Sequence, residues 1–330
     1  MNKYQCADLH CDLLSYLVEA PNADPLVGGK IGCTFPDLQK GNVNFQVMAI
    51  YAATEKGSVG FAYKQALWYK KLLIQYDSYF SSCEQKYFDE IGVKNKVGII
   101  SAIENAACIC EEDAQLSEAF QNLNKIIAIC GKPVYLGLTH HGENRFGGGN
   151  NTTVGLKDDG KSLINWLSEQ KIALDFSHMS DYLAFDCLNF IEKNNLDIKI
   201  LASHSNFRAG YHHNRNLPNE IAQEIIKRNG LIGINFLRAF LNPENVNAID
   251  DHINHGLALG GENNICLGAD YFYCDSHPDQ TRKPFFFPEH ENASKYQNIL
   301  NNLAQKLNEN IALKIGSKNF INFMQGIIDV

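Results

Sequence analysis

The chain has 330 residues, of which 45% are hydrophobic and 20% charged, and its formal net charge is −8. Such a chain buries a large core, and its length suits either two domains or one α/β barrel of about 250 residues with extensions. The acidic balance, without any basic run, excludes nucleic acid and anionic membrane surfaces as partners, and no stretch of about 20 apolar residues is present to span a membrane.

The first predicted strand is YQCADLH (4–10), and in the overlapping stretch ADLHCDLL (7–14) Asp8, His10 and Asp12 alternate one residue apart. A second apolar, β-branched run, NFQVMAIYAA (44–53), precedes a segment of helical periodicity, GFAYKQALWYKKLLIQYDSYF (60–80). KVGIISAIE (96–104) and PVYLGLTH (133–140) follow as strands, then the helix GKSLINWLSEQ (160–170). KIALDFSH (171–178) and IKILASH (198–204) come next, then the helix PNEIAQEIIKRNG (218–230) and the strands GLIGINF (230–236) and NICLGAD (264–270). Eight strands alternating with helices predict a parallel sheet closed into a (β/α)8 TIM barrel, one domain over 1–330 with helices at its C-terminal end. The competitor is a doubly wound open sheet, but no GxGxxG follows the first strand, which weakens a dinucleotide-binding version of it.

Ten cysteines are scattered along the chain with no CxxC pair, and Cys108 and Cys110 lie two apart in a predicted helix, a spacing that suits neither zinc nor a mutual disulfide. The N-terminus carries one lysine and no apolar segment of the signal-peptide kind, and the C-terminal FMQGIIDV is too short for a lipid-anchor signal. Reduced thiols in a cytoplasmic protein are expected.

The polar residues fall in a pattern. His10 and Asp12, Glu104, His140, His178, His204 and Asp270 stand at or just past the C-terminal ends of six of the eight runs. In a barrel those ends converge on the rim where active sites are built. One histidine at a strand end is ordinary hydrogen-bonded core material; seven metal-capable groups at the same end point to one site, with His10 and Asp12 alternating so that both reach it. Imidazoles and carboxylates without a thiolate suit zinc or a similar borderline divalent ion. Three histidines and two carboxylates exceed the three protein ligands of a single catalytic zinc, so two ions about 3.5–4 Å apart with a hydroxide between them are expected. Glu104 is the strand-end carboxylate placed to bridge them.

The motifs DLHCD, AIEN, LTHHGEN, DFSHMS, SHSNFRAGYHHNRNLPNE and GADY resemble those of the membrane (renal) dipeptidase family, binuclear zinc peptidases of the amidohydrolase-like (β/α)8 barrels, over residues 4 to about 275. The SHS…RN element followed by LP is the long and specific one. The resemblance implies two Zn2+ per chain, one on His10 and Asp12, the other on His178 and His204, with Glu104 bridging. It implies Asp270 beside the bridging hydroxide as proton carrier and His140 beside the scissile carbonyl as donor to the oxyanion. It also implies that Arg215, eleven residues after His204, clamps the substrate's terminal carboxylate through two parallel hydrogen bonds. The implied activity is hydrolysis of small dipeptides, L-Xaa-D-Xaa or L-Xaa-L-Xaa. Two alternatives stand beside it: an amidohydrolase acting on an N-acyl amino acid or a lactam, and a non-catalytic barrel, against which the complete ligand set argues. A homodimer is open.

Three segments depart from the family's pattern. GADYFYCD (268–275) stands where GGDFDG or GSDFDG is common, IEN replaces EGG, and His140 is followed by the glycine-rich HGENRFGGGNN. These segments flank the substrate pocket and leave the natural substrate open. Gly147 to Gly149 lack the strand–loop–helix context and GK[ST] of a phosphate loop. His212 and His213 read as surface residues, one of them a possible pocket lining, and FFFPEH (285–290) as core packing or a lid patch.

Overall fold

The computed structural model describes residues 4–83 and 96–328. The first three and last two residues, which enter the reading of both chain ends, lie outside them. In chain order the strands are β1 (Cys6–Cys11), β2 (Val43–Ile50), β3 (Phe80–Ser82), β4 (Val97–Ile103), β5 (Tyr135–Gly137), β6 (Glu143–Asn144), β7 (Gly147–Gly148), β8 (Ala173–Asp175), β9 (Ile200–Leu201), β10 (Ile232–Ile234) and β11 (Ile265–Leu267). All eight predicted runs are present. They pair in the order β10-β11-β1-β2-β4-β5-β8-β9, every pairing parallel. A parallel bridge between Ala202 and Ile232 joins the end of β9 back to β10. With helices between the strands this is a nearly closed (β/α)8 barrel.

Burial explains why these runs form parallel strands. Every residue of β1 and β2 is buried, as strands covered on both faces must be. Their alternation sorts side chains into two layers. Cys6, Met48, Ile99, Leu136, Leu174 and Ile232 pack outward under the helices. Ala7, Leu9, Phe45, Val47, Tyr135 and Leu201 converge with Phe320, Phe323 and Met324 of the C-terminal helix Asn319–Ile328. Only the barrel lumen brings residues of so many strands together, so that helix closes its floor. Gly137 shows how tight the wall is: a Cβ there would stand 2.3 Å from the carbonyl oxygen of Glu104, so the strand leading to His140 closes on the strand leading to Glu104 only through a glycine.

Several local expectations change. The helix predicted to run to Phe80 is Ser58–Gln75. The chain turns at Tyr76–Tyr79, where Asp77 and Ser78 favour a turn, and Phe80–Ser82 adds a further parallel strand beside β4. Phe80 is buried edge-on against Phe35, a burial that a longer exposed helix would forgo. Cys108 closes a 3-10 turn, Ala106–Cys108, rather than lying in a longer helix with Cys110. The glycine-rich stretch folds as the antiparallel pair β6–β7. Phe285, Phe286 and His290 are buried, which makes that aromatic run core.

Candidate metal centre

The rim residues are delivered by strand ends and the first residues after them. His10 belongs to β1, and a shift of register between Asp8 and Cys11 turns the end of that strand. Asp12 precedes the helix Leu13–Glu19 in the capping position but makes no side-chain cap bond, so its carboxylate is free for other partners. Glu104 follows β4, held by its N–H donating to the carbonyl of Ile50. His140, His178, His204 and Asp270 each stand three residues beyond the ends of β5, β8, β9 and β11. His178 and Asp270 adopt left-handed backbone, with φ of 67° and 63°. Such conformations cost roughly 1–3 kcal/mol in non-glycine residues and gather at functional sites.

These residues meet. Oε1 of Glu104 lies 3.0 Å from Nε2 of His178, 3.6 Å from Nε2 of His204 and 3.8 Å from Nε2 of His140, whereas its Oε2 faces Nε2 of His10 at 3.7 Å. Nε2 of His178 and of His204 are 2.9 Å apart, and Oδ1 of Asp270 is 3.8 Å from Nε2 of His10. Ligand atoms of His10, Asp12 and Glu104 form one compact group, and those of Glu104, His178 and His204 another. Glu104 is common to both.

The donor set fits divalent cations. Nε2 of His10 and Oδ1 of Asp12 are buried and have no protein hydrogen-bond partner among the described residues. Burial, with the Arg215 charge second, brings His10 down to about 3. Burial likewise holds His140, His178 and His204 well below the usual histidine range, helped by neighbouring imidazoles and Arg215. All four rings are therefore neutral and offer lone pairs. Burial, with repulsion from Asp270 on both and from Asp12 on Glu104, pushes Asp12 and Glu104 well above the usual carboxylate range, a cost that a bound multivalent cation would offset.

Hydrogen bonds behind the ligands fix which nitrogen faces inward. The Tyr135 hydroxyl donates to the carbonyl of Leu9 and lies 2.7 Å from Nδ1 of His10. It thus accepts the Nδ1 proton and leaves Nε2 as the lone pair. The Ser203 hydroxyl donates to Asp175 and sits 2.6 Å from Nδ1 of His204, which sets the same tautomer there. Tyr135, Ser203 and Asp175 are residues of the site that the sequence reading does not single out: Tyr135 and Asp175 meet partners from other strands, whereas Ser203, beside His204 in SHS, has its adjacency as a signal. His141, beside His140 and His178, is another; its adjacency in LTHHGEN was the available signal. Asp8, by contrast, leaves the site. It accepts from the Tyr296 hydroxyl, from the Gln46 amide and from the N–H groups of His10 and Ala269, so it ties β1 to its neighbours and to a C-terminal helix.

A cavity of about 320 Å3 opens over the cluster, and Asp12, Glu104, His140, His178 and Asp270 line it. Asp270 accepts from the Asn235 amide at 2.8 Å, and burial pushes its carboxyl up to about 7 against the pull of Arg215. Arg215 is buried and is not among the residues that line the cavity. Its guanidinium donates to Ser205 Oγ at 2.8 Å and to the carbonyl of His204 at 2.9 Å, its Nε has no partner, and among the described residues no carboxylate lies within ion-pair distance. His213 accepts from the Arg215 N–H and packs on Phe240, while His212 is exposed.

A model of the membrane dipeptidase family, peptidase family M19, matches residues 1–329. An uncharacterized dipeptidase of Schizosaccharomyces pombe is 26% identical over 184 residues, 52% of this chain and 41% of that protein. The chain spans about half the length of the curated relatives it matches. Among solved structures, a metallo peptidase from Rhodobacter sphaeroides, liganded with a phosphinate mimic of the dipeptide L-Ala-D-Ala, is similar with a TM-score of 0.81 at 18% identity, over 98% of this chain and 99% of that one. The probable dipeptidase PvdM from Pseudomonas aeruginosa is similar with a TM-score of 0.78 at 16% identity, over 99% and 95%. At these identities the likeness is one of fold.

Proposed function

The chain belongs to the membrane dipeptidase family, peptidase family M19, and from that premise we propose that it is a zinc-dependent dipeptidase cleaving small dipeptides. One observation carries the reading: Glu104 directs one carboxylate oxygen toward His10 and the other toward His178 and His204, as a residue shared between two ions must. His10, Asp12, Glu104, His178 and His204 would hold two Zn2+. When bound, such ions polarise the scissile carbonyl and acidify a water so that it attacks near neutral pH.

The protein's own groups do the rest. Arg215, a buried guanidinium with no carboxylate within ion-pair distance among the described residues, binds the substrate's terminal carboxylate through charge-assisted hydrogen bonds. His140, neutral and lining the cavity, donates to the carbonyl oxygen as charge develops there, a contribution of roughly 10²–10³ in rate. Asp270, held by Asn235 and raised toward neutrality, takes a proton from the attacking water and returns it to the leaving amine. The cavity of about 320 Å3 suits a ligand of dipeptide size. The dipeptide mimic bound by the Rhodobacter sphaeroides enzyme favours an L-Xaa-D-Xaa substrate. The ten free cysteines support a reducing, cytoplasmic setting, and among the described residues no helix is long and apolar enough to cross a membrane. A homodimer and the single-domain organisation over 1–330 belong to the same proposal.

An activity screen separates this reading from the amidohydrolase alternative. Free L-Ala-D-Ala or L-Ala-L-Ala should be hydrolysed, and N-acetyl amino acids and lactams should not. Turnover of the N-acyl compounds or lactams in preference to free dipeptides would favour the amidohydrolase. No turnover of any of them by metal-replete protein would favour a non-catalytic barrel.

A further inference from the structure

The segment after β11, which departs from the family's usual sequence, forms one wall of the cavity. Phe272, Ser276, His277 and Arg282 of this segment line it. The segment is anchored at both flanks. Phe272 packs against Phe285 and Phe286, Lys283 and Lys30 both pair with Asp275, and Arg238 donates to the carbonyl of Pro284. The 3-10 turn Gln280–Arg282 is capped by Asp279, which accepts from the N–H and hydroxyl of Thr281.

Arg282 is half-buried at the cavity and has no carboxylate within ion-pair distance among the described residues. Its polar contact is a long one, 3.5 Å to Nε2 of His277. Its positive charge is felt by neighbouring imidazoles: it helps to lower His213 and His277, in each case after burial. Arg282 also shares a neighbour with Arg215. The guanidinium carbon of Arg215 lies 5.7 Å from the ring centre of Phe240, and that of Arg282 lies 6.0 Å from the same centre. The two charges therefore stand no farther apart than the sum of those distances. Two guanidinium groups, neither in an ion pair with a protein carboxylate among the described residues, stand near one aromatic ring; Phe240 and Arg282 line the substrate cavity, and Arg215 is buried beyond that lining.

From this juxtaposition we infer that Arg282 is a specificity-determining residue for a second substrate anion, and that the preferred substrates are dipeptides ending in an acidic residue, Xaa-Glu or Xaa-Asp. The inference rests on the dipeptidase reading and on Arg215 as the site of the terminal carboxylate. With that carboxylate at Arg215, the side chain of the same residue lies along Phe240 toward Arg282. The two carboxylates of an acidic amino acid are separated by only two or three carbons, which with a hydrogen bond at each end spans a separation within that bound. A carboxylate there gains a charge-assisted hydrogen bond that its amide isostere lacks.

The test compares L-Ala-Glu with L-Ala-Gln, and L-Ala-Asp with L-Ala-Asn, in both configurations of the second residue, on wild type and on Arg282→Gln. Wild type should use the acidic peptide with a kcat/KM about 10- to 100-fold above its amide isostere, as a hydrogen bond to a charged group provides, and mostly through KM. Arg282→Gln should bring the acidic peptides down to the level of the amides, so that the preference for acid over amide disappears whatever the change on Ala-Ala. Metal content and melting temperature of the variant report on folding. Equal use of acidic and amide peptides by wild type would overturn the inference and leave the dipeptidase reading standing. So would an equal loss on all substrates in Arg282→Gln, which would make Arg282 a contact for the terminal carboxylate. Failure of wild type to cleave any free dipeptide would remove both.

Discussion

Glu104→Gln should lose at least one metal ion per chain and nearly all turnover while the barrel still folds. The substitution preserves shape and leaves one oxygen in place, but it puts an NH2 group against either His10 or the His178–His204 pair, since each oxygen of Glu104 faces one of them. An amide nitrogen has no lone pair for a cation; it can only donate, and neutral imidazole nitrogens accept such a bond. The variant thus replaces a buried carboxylate, raised by burial and by Asp12 and Asp270, with a neutral group that satisfies its neighbours. Its apo form should melt no lower than the apo wild type. Loss of the several kcal/mol that metal ions contribute to the transition state corresponds to a fall of about 10³-fold or more in kcat. Elemental analysis, thermal melting and dipeptide turnover on the same preparation check all three. Retention of the full metal content and of activity would show that Glu104 is not the shared ligand.

The second large effect is expected at Arg215. If this residue binds the carboxylate of the substrate, its contribution is nearly the same in ground state and transition state, so Arg215→Ala should raise KM far more than it lowers kcat. Truncating one partner of a buried charge pair costs roughly 2–5 kcal/mol, or about 30- to several-thousand-fold in kcat/KM. The guanidinium also donates to the carbonyl of His204 and to Ser205, so part of the loss could come from a displaced ligand. Amidation of the substrate's C-terminus separates the two causes. Wild type should lose a comparable factor on the amidated dipeptide, and the variant should lose little more. A variant that is merely distorted would lose equally on both substrates. Equal cleavage of free and amidated dipeptides by wild type would remove Arg215 from the substrate.

Much of this site is visible in the chain itself, because a parallel barrel converts position along a strand into position on a rim. Apolar runs ending in His10, Glu104, His140, His178, His204 or Asp270 need only be aligned at their ends for the cluster to appear. Cross-strand contacts are another matter. The partners Tyr135 and His10 are 125 residues apart in sequence, and nothing local in VYLGLTH marks the tyrosine as the group that fixes a tautomer. Asp8 misleads for the opposite reason. Its alternation with His10 and Asp12 looks like one strand face, but the register shift after it breaks the period, and its carboxylate closes the sheet instead. The short strand at Phe80 is hidden by a helical pattern that continues past the helix end. Arg282 is invisible for want of a motif, since only the fold of the segment after β11 brings it beside Phe240.

Metal content per chain is the most direct measure of the central claim. Protein purified without chelator and analysed for elements should contain about two zinc equivalents, as two ions sharing Glu104 require. Reproducible absence of metal, or a single equivalent that excess zinc does not raise, would contradict a binuclear centre built from His10, Asp12, Glu104, His178 and His204.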